Sequence, residues 1–317
     1  MSNLPFYSAA NIAGAVSMRQ AIDLMREAFS SLTRGEAVVP QRINMPLNSG
    51  DCALVMPVFL PGSGHYGVKT VSVNHGNPET GLPRLHAVFN LFDANTGVPL
   101  AALDAEFITA LRTGAGAGLA TELLAPPGAS TLALFGAGHQ AVTQLQAMAA
   151  VRKLQRVLVF ATSIERARAF VDAVKPDYDF EIAAATSPEQ LKQADLVCTA
   201  TSSSTPVFED RDLGDAVHIN GVGSYHAGMA EVPPATVARA TVVLDQRSAC
   251  LTEAGDITQP LASGTITPDS IYAELGELTS GERPLPEHAP LTFFKSVGNA
   301  VQDLAVASQA YRVLTAD

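Results

Sequence analysis

The chain has 317 residues, of which 47% are hydrophobic and 16% are charged, and its formal net charge is −11. A chain of this length exceeds one ordinary core and predicts two domains. The acidic balance argues against nucleic acid and against an anionic membrane as partners. The three cysteines are far apart and form no C-x-x-C pair, so neither a disulfide framework nor a zinc site is indicated. Because no apolar run reaches membrane-spanning length, we expect a cytoplasmic protein.

The first part of the chain predicts an antiparallel sheet with helices on it. From Ser17, apolar residues recur every three or four positions, which predicts a helix that ends at Gly35. Ser17 and Gln20 form a capping-box pattern at its start. Short β-like runs follow at residues 53–58, 67–73 and 85–92, and a hairpin-type turn follows at 93–97. An Ala- and Gly-rich helix is predicted over 107–124, before Pro126-Pro127-Gly128.

Beyond that Pro-Pro-Gly segment, β and α patterns alternate. Strands are predicted at 130–135, 156–161, 180–185, 196–200, 217–222 and 241–245, and helices at 139–151, 164–174, 187–194 and 234–240. This order predicts an α/β fold with a Rossmann-type, doubly wound parallel sheet and a separate α/β substrate-binding domain. A last apolar helix is predicted from Thr292 through Ala307. The expected domains are 1–118 with 291–317, for substrate binding and dimerisation, and 119–290, for NAD(P).

A glycine turn is the most informative local feature. The apolar run 130–135 ends in Gly136-Ala-Gly138-His139-Gln140-Ala141, and an apolar-periodic helix follows. In such a strand–turn–helix, Gly136 permits the tight turn and Gly138 lets the backbone approach a pyrophosphate at the helix N-terminus. A bare G-x-G-x-x-A is also found in simple βα turns. The apolar strand before it and the apolar helix after it favour nucleotide binding.

The end of the next predicted strand bears on the choice of cofactor. In NAD-binding units a carboxylate about 20 residues past the glycines accepts a hydrogen bond from the ribose 2′-hydroxyl. Here the strand ends in Phe160-Ala-Thr162-Ser163, without a carboxylate. Thr162 and Ser163 with Arg166 or Arg168 could bind a 2′-phosphate, although these arginines could equally lie on a solvated helix face. We expect NADPH, with NADH the less favoured cofactor.

Five segments together resemble the ornithine cyclodeaminase/mu-crystallin family, in the same order and over nearly the whole chain. They are Arg112-Thr-Gly-Ala-Gly-Ala-Gly-Leu-Ala, Gly136-Ala-Gly-His-Gln, His218-Ile-Asn-Gly-Val-Gly, Glu253-Ala-Gly-Asp and Phe294-Lys-Ser-Val-Gly-Asn. The resemblance implies a homodimer formed through the N-terminal domains. It also implies an NAD(P)-binding Rossmann domain and an active site in the cleft between the two domains. The shared chemistry of the family is hydride exchange between a nicotinamide and an α-carbon that carries carboxylate and nitrogen.

Three basic residues match the family's carboxylate-binding positions: Arg42, Lys69 and Arg112. Hydride transfer tolerates little misplacement, so the carboxylate must be held firmly. The planar fork of Arg112 suits a carboxylate. Lys69 lies in an otherwise apolar β run, where a purely structural lysine is costly unless it reaches solvent from an edge strand. Arg42 has less distinctive surroundings, and simple surface placement remains open for it. We predict Lys69 and Arg112 as catalytic and all three as substrate-binding.

Further positions follow from the same resemblance. Tyr225 is expected to assist substrate binding. The expected cofactor-binding residues are Thr113, Gly136, Gly138, His139, Gln140, Thr162, Ser163, Arg166, Val222, Ser296 and Gly298. His139 could instead cap its helix. Glu253 and Asp256 are predicted to support the site or to cap a local helix. The histidines show no metal-ligand spacing, so no metal site is expected.

Two departures from the family's cyclodeaminases change the predicted reaction. Those enzymes carry an Asp directly after the Val-Gly-Gly or Val-Gly-Ala segment, whereas here Val222-Gly-Ser224 is followed by Tyr225. They also carry a Glu before a Met-Pro pair, where this chain has Leu54. Oxidising and cyclising a diamino acid needs proton acceptors at both nitrogens, and a preformed cyclic imine needs fewer. We therefore predict reduction of small cyclic imino acids, Δ1-pyrroline-2-carboxylate to L-proline and Δ1-piperideine-2-carboxylate to L-pipecolate. Ornithine cyclodeaminase or amino-acid dehydrogenase activity, and a non-catalytic crystallin-like binding protein, are the alternatives.

Overall fold

The computed structural model describes residues 4–287 and 289–316. The chain folds into two compact units, one that ends at Arg112 and resumes at Asn299, and a second over Thr113–Gly298. These bounds differ from the predicted domain bounds, 118/119 and 290/291. On the C-terminal side the physical reason is plain, because residues 291–295 pair with two strands of the second unit.

The first unit is built on a six-stranded sheet, in the order β1-β6-β5-β4-β3-β2. Neighbouring strands are antiparallel except β1 and β6, which are parallel. The strands are β1 (Phe6–Tyr7), β2 (Ile43–Pro46), β3 (Cys52–Phe59), β4 (His65–Val73), β5 (Leu85–Asp93) and β6 (Pro99–Asp104). The three predicted β runs are confirmed as β3, β4 and β5.

Helices cover one face of this sheet. They include α1 (Ala9–Ala15), α2 (Met18–Thr33) and α10 (Ala300–Thr315), and α10 packs on α2 and on strands β3, β4 and β5. The predicted capping box of α2 is present, with Ser17 accepting from the backbone N–H of Gln20. Along β4 the residues Gly67, Lys69 and Val71 are buried in alternation, as expected for a strand with one covered face. Helix α3 (Ala105–Leu124) contains the boundary between the units.

The second unit contains an eight-stranded sheet in the order β13-β12-β14-β11-β10-β7-β8-β9, and every neighbouring pair is parallel. The strands are β7 (Thr131–Phe135), β8 (Arg156–Phe160), β9 (Glu181–Ala184), β10 (Leu196–Thr199), β11 (Val217–Gly221), β12 (Thr241–Leu244), β13 (Ile271–Glu274) and β14 (Leu291–Lys295). The helices are α4 (His139–Val151), α5 (Ile164–Val174), α6 (Pro234–Arg239), α7 (Arg247–Glu253), α8 (Gly255–Ala262) and α9 (Leu275–Ser280). The predicted doubly wound α/β fold is confirmed. The order of the strands reverses between β7 and β10, which marks the topological switch point.

Two predicted elements are wrong in type. Residues 291–295 form the buried strand β14 rather than the start of the last helix, which begins at Ala300 behind the cap Asn299. A short, fully apolar run does not distinguish strand from helix by its periodicity, and Gly298, with φ +83°, interrupts any helix there. The segment predicted as a helix at 187–194 is a 3₁₀ helix, Pro188–Gln193. Across the described residues, every helix is too short or too polar to cross a bilayer.

Candidate active site

A buried ion cluster lies in the first unit, where β4, α3 and α10 meet. The Lys69 ammonium Nζ is 2.6 Å from Oδ2 of Asp303, and Nε of Arg112 is 3.2 Å from Oδ1 of the same carboxylate. Lys69 is 2%, Arg112 6% and Asp303 0% exposed, so each charge is held by its partners and not by bulk water. The structure thus brings two of the three predicted bases onto one acid. Two cations sharing one carboxylate leave this group one net positive charge.

Neighbouring side chains fix the geometry of the two bases. Lys69 also donates to the Thr109 hydroxyl at 3.3 Å, and Nη1 of Arg112 donates to Oε1 of Gln302 at 3.3 Å. The pKa of Lys69 is lowered to about 8, mainly by burial; Asp303 opposes this shift, while the nearby Arg112 and Arg42 add to it. This effect on Lys69 places Arg42, which is half-buried, near the same cluster.

Asp303 is a residue that the sequence analysis missed. It supplies a carboxylate inside the cluster, apart from the two cyclodeaminase carboxylates whose absence the sequence indicated. That carboxylate bonds both bases and stands in neither of the two positions where the cyclodeaminases carry theirs. One signal was present: Asp303 is the acid in the mainly apolar segment 300–307. A buried acid at that position requires a cationic partner.

The glycine turn of the second unit has the geometry that a dinucleotide requires. Gly136 has φ +115°, and a Cβ placed there would lie 2.5 Å from the carbonyl oxygen of Ala200. Gly138 is the N-cap of α4 and provides no side-chain cap, which leaves backbone N–H groups of the first turn for an anion. Ala141 is fully buried, in a helix that packs on β7 and β10. The turn therefore fits a diphosphate.

Three other predicted cofactor-binding residues lie in α3 and at the start of α4. His139 is exposed and is the first residue of α4, so it does not cap the helix. Gln140 is half-buried, and its carbonyl oxygen accepts from the Thr143 hydroxyl. Thr113, in α3, is buried.

The end of β8 carries the residues that were predicted to bind a 2′-phosphate. Ser163 is the N-cap of α5 and accepts from the backbone N–H of Arg166. The guanidinium of Arg166 donates to the Thr162 hydroxyl at 3.4 Å, and both side chains are exposed. Glu165, which the sequence analysis did not consider, lies in the same turn, and hydrogen bonds from its own backbone N–H and from Ser163 hold its pKa below the usual value. The end of β8 thus presents the Arg166 guanidinium together with the ionised Glu165 carboxylate.

The segments after β11 and β14 are held by buried carboxylates that the sequence analysis also missed. Glu231 accepts from the backbone N–H groups of Gly223 and Ser224, next to Val222. Asp245 accepts from the hydroxyl of Ser296 at 2.7 Å and from the backbone N–H of Gly298 at 2.8 Å. The Ser296 hydroxyl is thus oriented by Asp245, and its role in cofactor binding stays a prediction. Both acids are separated in sequence from the segments that they hold, which hides them from motif analysis.

Two further predicted positions, Tyr225 and Asp256, lie elsewhere in the second unit. Tyr225 is 55% exposed and packs edge-on against the ring of His226. Asp256 is fully buried and paired with Lys295 at 3.0 Å, which is a supporting role rather than a helix cap. In the described ranges no three His, Cys, Asp or Glu side chains are grouped to hold a metal ion.

A glycine turn on a doubly wound parallel sheet, followed by a helix with an uncapped N-terminus, defines a dinucleotide-binding α/β protein. Residues 4–316 match the model of the ornithine cyclodeaminase/mu-crystallin family, and the chain belongs to that family. The resemblance identified from the five segments is confirmed.

Several relatives match almost the whole chain. A Δ1-pyrroline-2-carboxylate reductase of Bacillus cereus is 36% identical over 300 residues, which are 93% of this chain and 92% of that protein. The solved structure of Thermococcus litoralis Δ1-pyrroline-2-carboxylate reductase, in complex with NADH and L-proline, superposes with a TM-score of 0.92. Its sequence is 33% identical, and the match covers 98% of this chain and 97% of that one. An archaeal alanine dehydrogenase dimer with bound NAD gives a TM-score of 0.91 at 28% identity, over 98% and 95% of the two chains.

Proposed function

We propose that the protein is an NAD(P)H-dependent reductase of small cyclic imino acids. Its substrates are Δ1-pyrroline-2-carboxylate, reduced to L-proline, and Δ1-piperideine-2-carboxylate, reduced to L-pipecolate. One observation carries the proposal: Lys69 and Arg112 are buried on a single carboxylate, so the group has an excess positive charge. A buried excess of positive charge favours an anionic ligand. The 36% identical reductase of Bacillus cereus supports the choice of substrate class.

The bases hold the substrate by its carboxylate. Arg112 uses Nε and Nη1 for Asp303 and Gln302, which fixes the plane of its guanidinium and orients the rest of the fork. Arg42 adds a third cation near Lys69 and Arg112. Residues 136–138 and the N-terminus of α4 hold the diphosphate of the cofactor. When bound, NAD(P)H supplies a hydride to the carbon of the C=N bond.

Lys69 supplies the proton. Reduction of the imine adds a hydride at carbon and one proton at nitrogen, which gives a secondary amine. The ammonium of Lys69 has three N–H donors, of which Asp303 and Thr109 take two. A pKa of about 8 leaves Lys69 protonated at neutral pH and makes it a stronger acid than an ordinary lysine. After transfer, neutral Lys69 recovers a proton from water.

We propose NADPH as the preferred reduced cofactor. Arg166, hydrogen-bonded to Thr162 at the end of β8, provides a cation for the 2′-phosphate, whereas Glu165 in the same turn opposes that phosphate. The ratio of kcat/KM for NADPH to that for NADH tests this choice. Arg166→Gln should lower the ratio and Glu165→Gln should raise it. If neither variant changes this ratio, the 2′-phosphate does not bind at the end of β8.

We also propose a homodimer formed through the sheet of the first unit. Side chains at its β2 edge are apolar and exposed, with Ile43 at 58%, Met45 at 48% and Phe59 at 36%. Exposed apolar groups of this kind mark association surfaces. The similarity to a dimeric alanine dehydrogenase supports this assembly. Light scattering should give twice the chain mass, and Ile43→Glu with Met45→Glu should shift the protein to monomers; a wild-type monomer would refute the proposal.

The function is tested with purified protein, NADPH and the two imines in separate assays. We expect rapid cofactor oxidation with either imine and no ammonia from ornithine with NAD. Ammonia release would favour the cyclodeaminase, and oxidation of acyclic amino acids by NAD would favour a dehydrogenase. If the protein binds an imine without turnover, the crystallin-like binding protein becomes the better conclusion.

A further inference from the structure

Glu231 joins two chain segments at the carboxyl edge of the parallel sheet. Its Oε1 accepts from the backbone N–H of Thr201 at 2.6 Å and from the hydroxyl of the same residue at 2.8 Å. Its Oε2 accepts from the backbone N–H of Gly223 at 2.7 Å, from that of Ser224 at 3.1 Å, and from the Thr199 hydroxyl at 3.0 Å. One side chain, 0% exposed, therefore fixes the residues that follow β10 and those that follow β11.

Asp245 does the same for the segment after β14. Its Oδ2 accepts from the Ser296 hydroxyl at 2.7 Å and from the backbone N–H groups of Val297 at 2.9 Å and Gly298 at 2.8 Å. Asp245 itself directly follows β12 and is 1% exposed. Two buried acids thus hold the ends of three adjacent strands, β10, β11 and β14.

The sheet topology indicates which part of a dinucleotide lies over these ends. A dinucleotide crosses the carboxyl edge at the switch point, with its diphosphate on the glycine turn. The switch point is between β7 and β10, and the glycine turn follows β7. The adenosine ribose lies at the end of β8, on one side of that turn. The nicotinamide half must extend to the other side, over β10, β11 and β14.

We propose that Glu231 and Asp245 are positioning residues that hold the backbone on which the nicotinamide half of the cofactor rests. The inference rests on the proposed function for the identity of the cofactor. It goes beyond that function by assigning two acids that need not touch substrate or cofactor.

The chemistry requires carboxylates at both positions. A carboxylate accepts only, whereas an amide presents an NH₂ group that would face the backbone N–H donors and leave them unsatisfied. Buried acids are costly, and burial raises the pKa of Glu231 while the nearby Lys295 lowers it. Lys295 is also paired with Asp256, whose Oδ1 accepts from the backbone N–H of Glu231 at 2.6 Å. The cost is thus offset by one buried lysine and a set of main-chain donors.

The experiment compares two ligands of the full-length protein. NADH contains both halves of the dinucleotide, whereas ADP-ribose lacks the nicotinamide. The variants are Glu231→Gln and Asp245→Asn, and Kd is measured by calorimetry without substrate. Asp195→Asn is the matched control, because Oδ2 of Asp195 accepts from the backbone N–H groups of Ser130 and Thr131, at 2.8 and 2.9 Å, at the opposite edge of the sheet.

We expect each of the two variants to raise the Kd for NADH by about tenfold and that for ADP-ribose by no more than about twofold. Asp195→Asn should lower the melting temperature and change both Kd values by the same factor. Equal weakening of both ligands by Glu231→Gln and Asp245→Asn, or unchanged NADH binding, would overturn the inference. If one variant does not fold, the other provides the same comparison. A wild-type protein that binds NADH but reduces no imine would reject the proposed substrate and leave this test intact.

Discussion

Asp303→Asn is the most informative perturbation of the ion cluster. Asparagine keeps the shape of the side chain and removes its charge, so Lys69 and Arg112 lose the carboxylate that they share. At an effective dielectric constant of about 20, two unit charges 2.6 Å apart attract each other by roughly 6 kcal/mol. About 1.4 kcal/mol changes a pKa by one. Even a fraction of this attraction would therefore move the pKa of Lys69 well below about 8.

The direction of the pH dependence follows from the role of the Lys69 proton. Imine reduction requires Lys69 with its proton, so kcat/KM of the wild type falls as pH rises through about 8. In Asp303→Asn the same fall should come at least about one pH unit lower, and kcat/KM at pH 7.5 should drop by about threefold or more. The assay is NADPH oxidation with Δ1-piperideine-2-carboxylate, followed across the pH range for both proteins.

Asp256→Asn is the control for this experiment. It also breaks a buried lysine–aspartate pair, with Lys295 at 3.0 Å, but in the second unit. Both variants should lower the free energy of unfolding by about 3–5 kcal/mol, as measured with denaturant. Only Asp303→Asn should shift the pH at which kcat/KM falls on the alkaline side of its pH profile. If kcat/KM of Asp303→Asn falls at the same pH as that of the wild type, Lys69 is not the group whose protonation the reaction requires.

Three further predictions concern other parts of the chain. Arg112→Met should lower kcat/KM by about 10²-fold or more, because the substrate carboxylate loses its fork, while Arg34→Met on the surface should leave it unchanged. Burial lowers the pKa of His218 to about 3. Below pH 6.5 this imidazole is therefore protonated in the unfolded chain and stays neutral in the folded chain. As the pH is lowered to 4, this difference should reduce the free energy of unfolding by about 3 kcal/mol. His218→Gln should not show this reduction. Gly136→Ala should weaken NADH binding by about tenfold or more, whereas Gly14→Ala, in a helix with open space around it, should not.

Each of these three has its own contrary result. An unchanged kcat/KM in Arg112→Met would remove that arginine from the site. Equal acid sensitivity of the wild type and of His218→Gln, measured by urea unfolding at several pH values, would mean that the imidazole is charged in the folded state. Normal NADH affinity in Gly136→Ala would show that the turn tolerates a side chain and is not shaped by a diphosphate.

Much of the fold could be predicted because its determinants are local. The alternation of apolar runs with helical periodicity gave the order of β7 to β12, and the capping pattern at Ser17 gave the start of α2. Lys69 stood out because a lysine within an apolar strand must find a partner when it is buried. What the sequence did not reveal was the identity of that partner, since Asp303 lies at the other end of the chain.

The residues that were missed share one property. Glu231, Asp245 and Asp303 each bond groups that are distant in the sequence or follow another strand, so no spacing rule connects them. The strand Leu291–Lys295 was missed for a related reason. Its apolar run is compatible with both helix and strand, and only its pairing with β11 and β12 decides between them.

The position of β14 has a consequence for biosynthesis. This strand lies between β11 and β12, although β12 and β13 leave the ribosome before it. Until residue 295 has emerged, the interior of the sheet has a gap, and two apolar strand edges have no neighbour. A nascent chain arrested before Leu291 should therefore aggregate, whereas one that is released after it can close the sheet in a single late step.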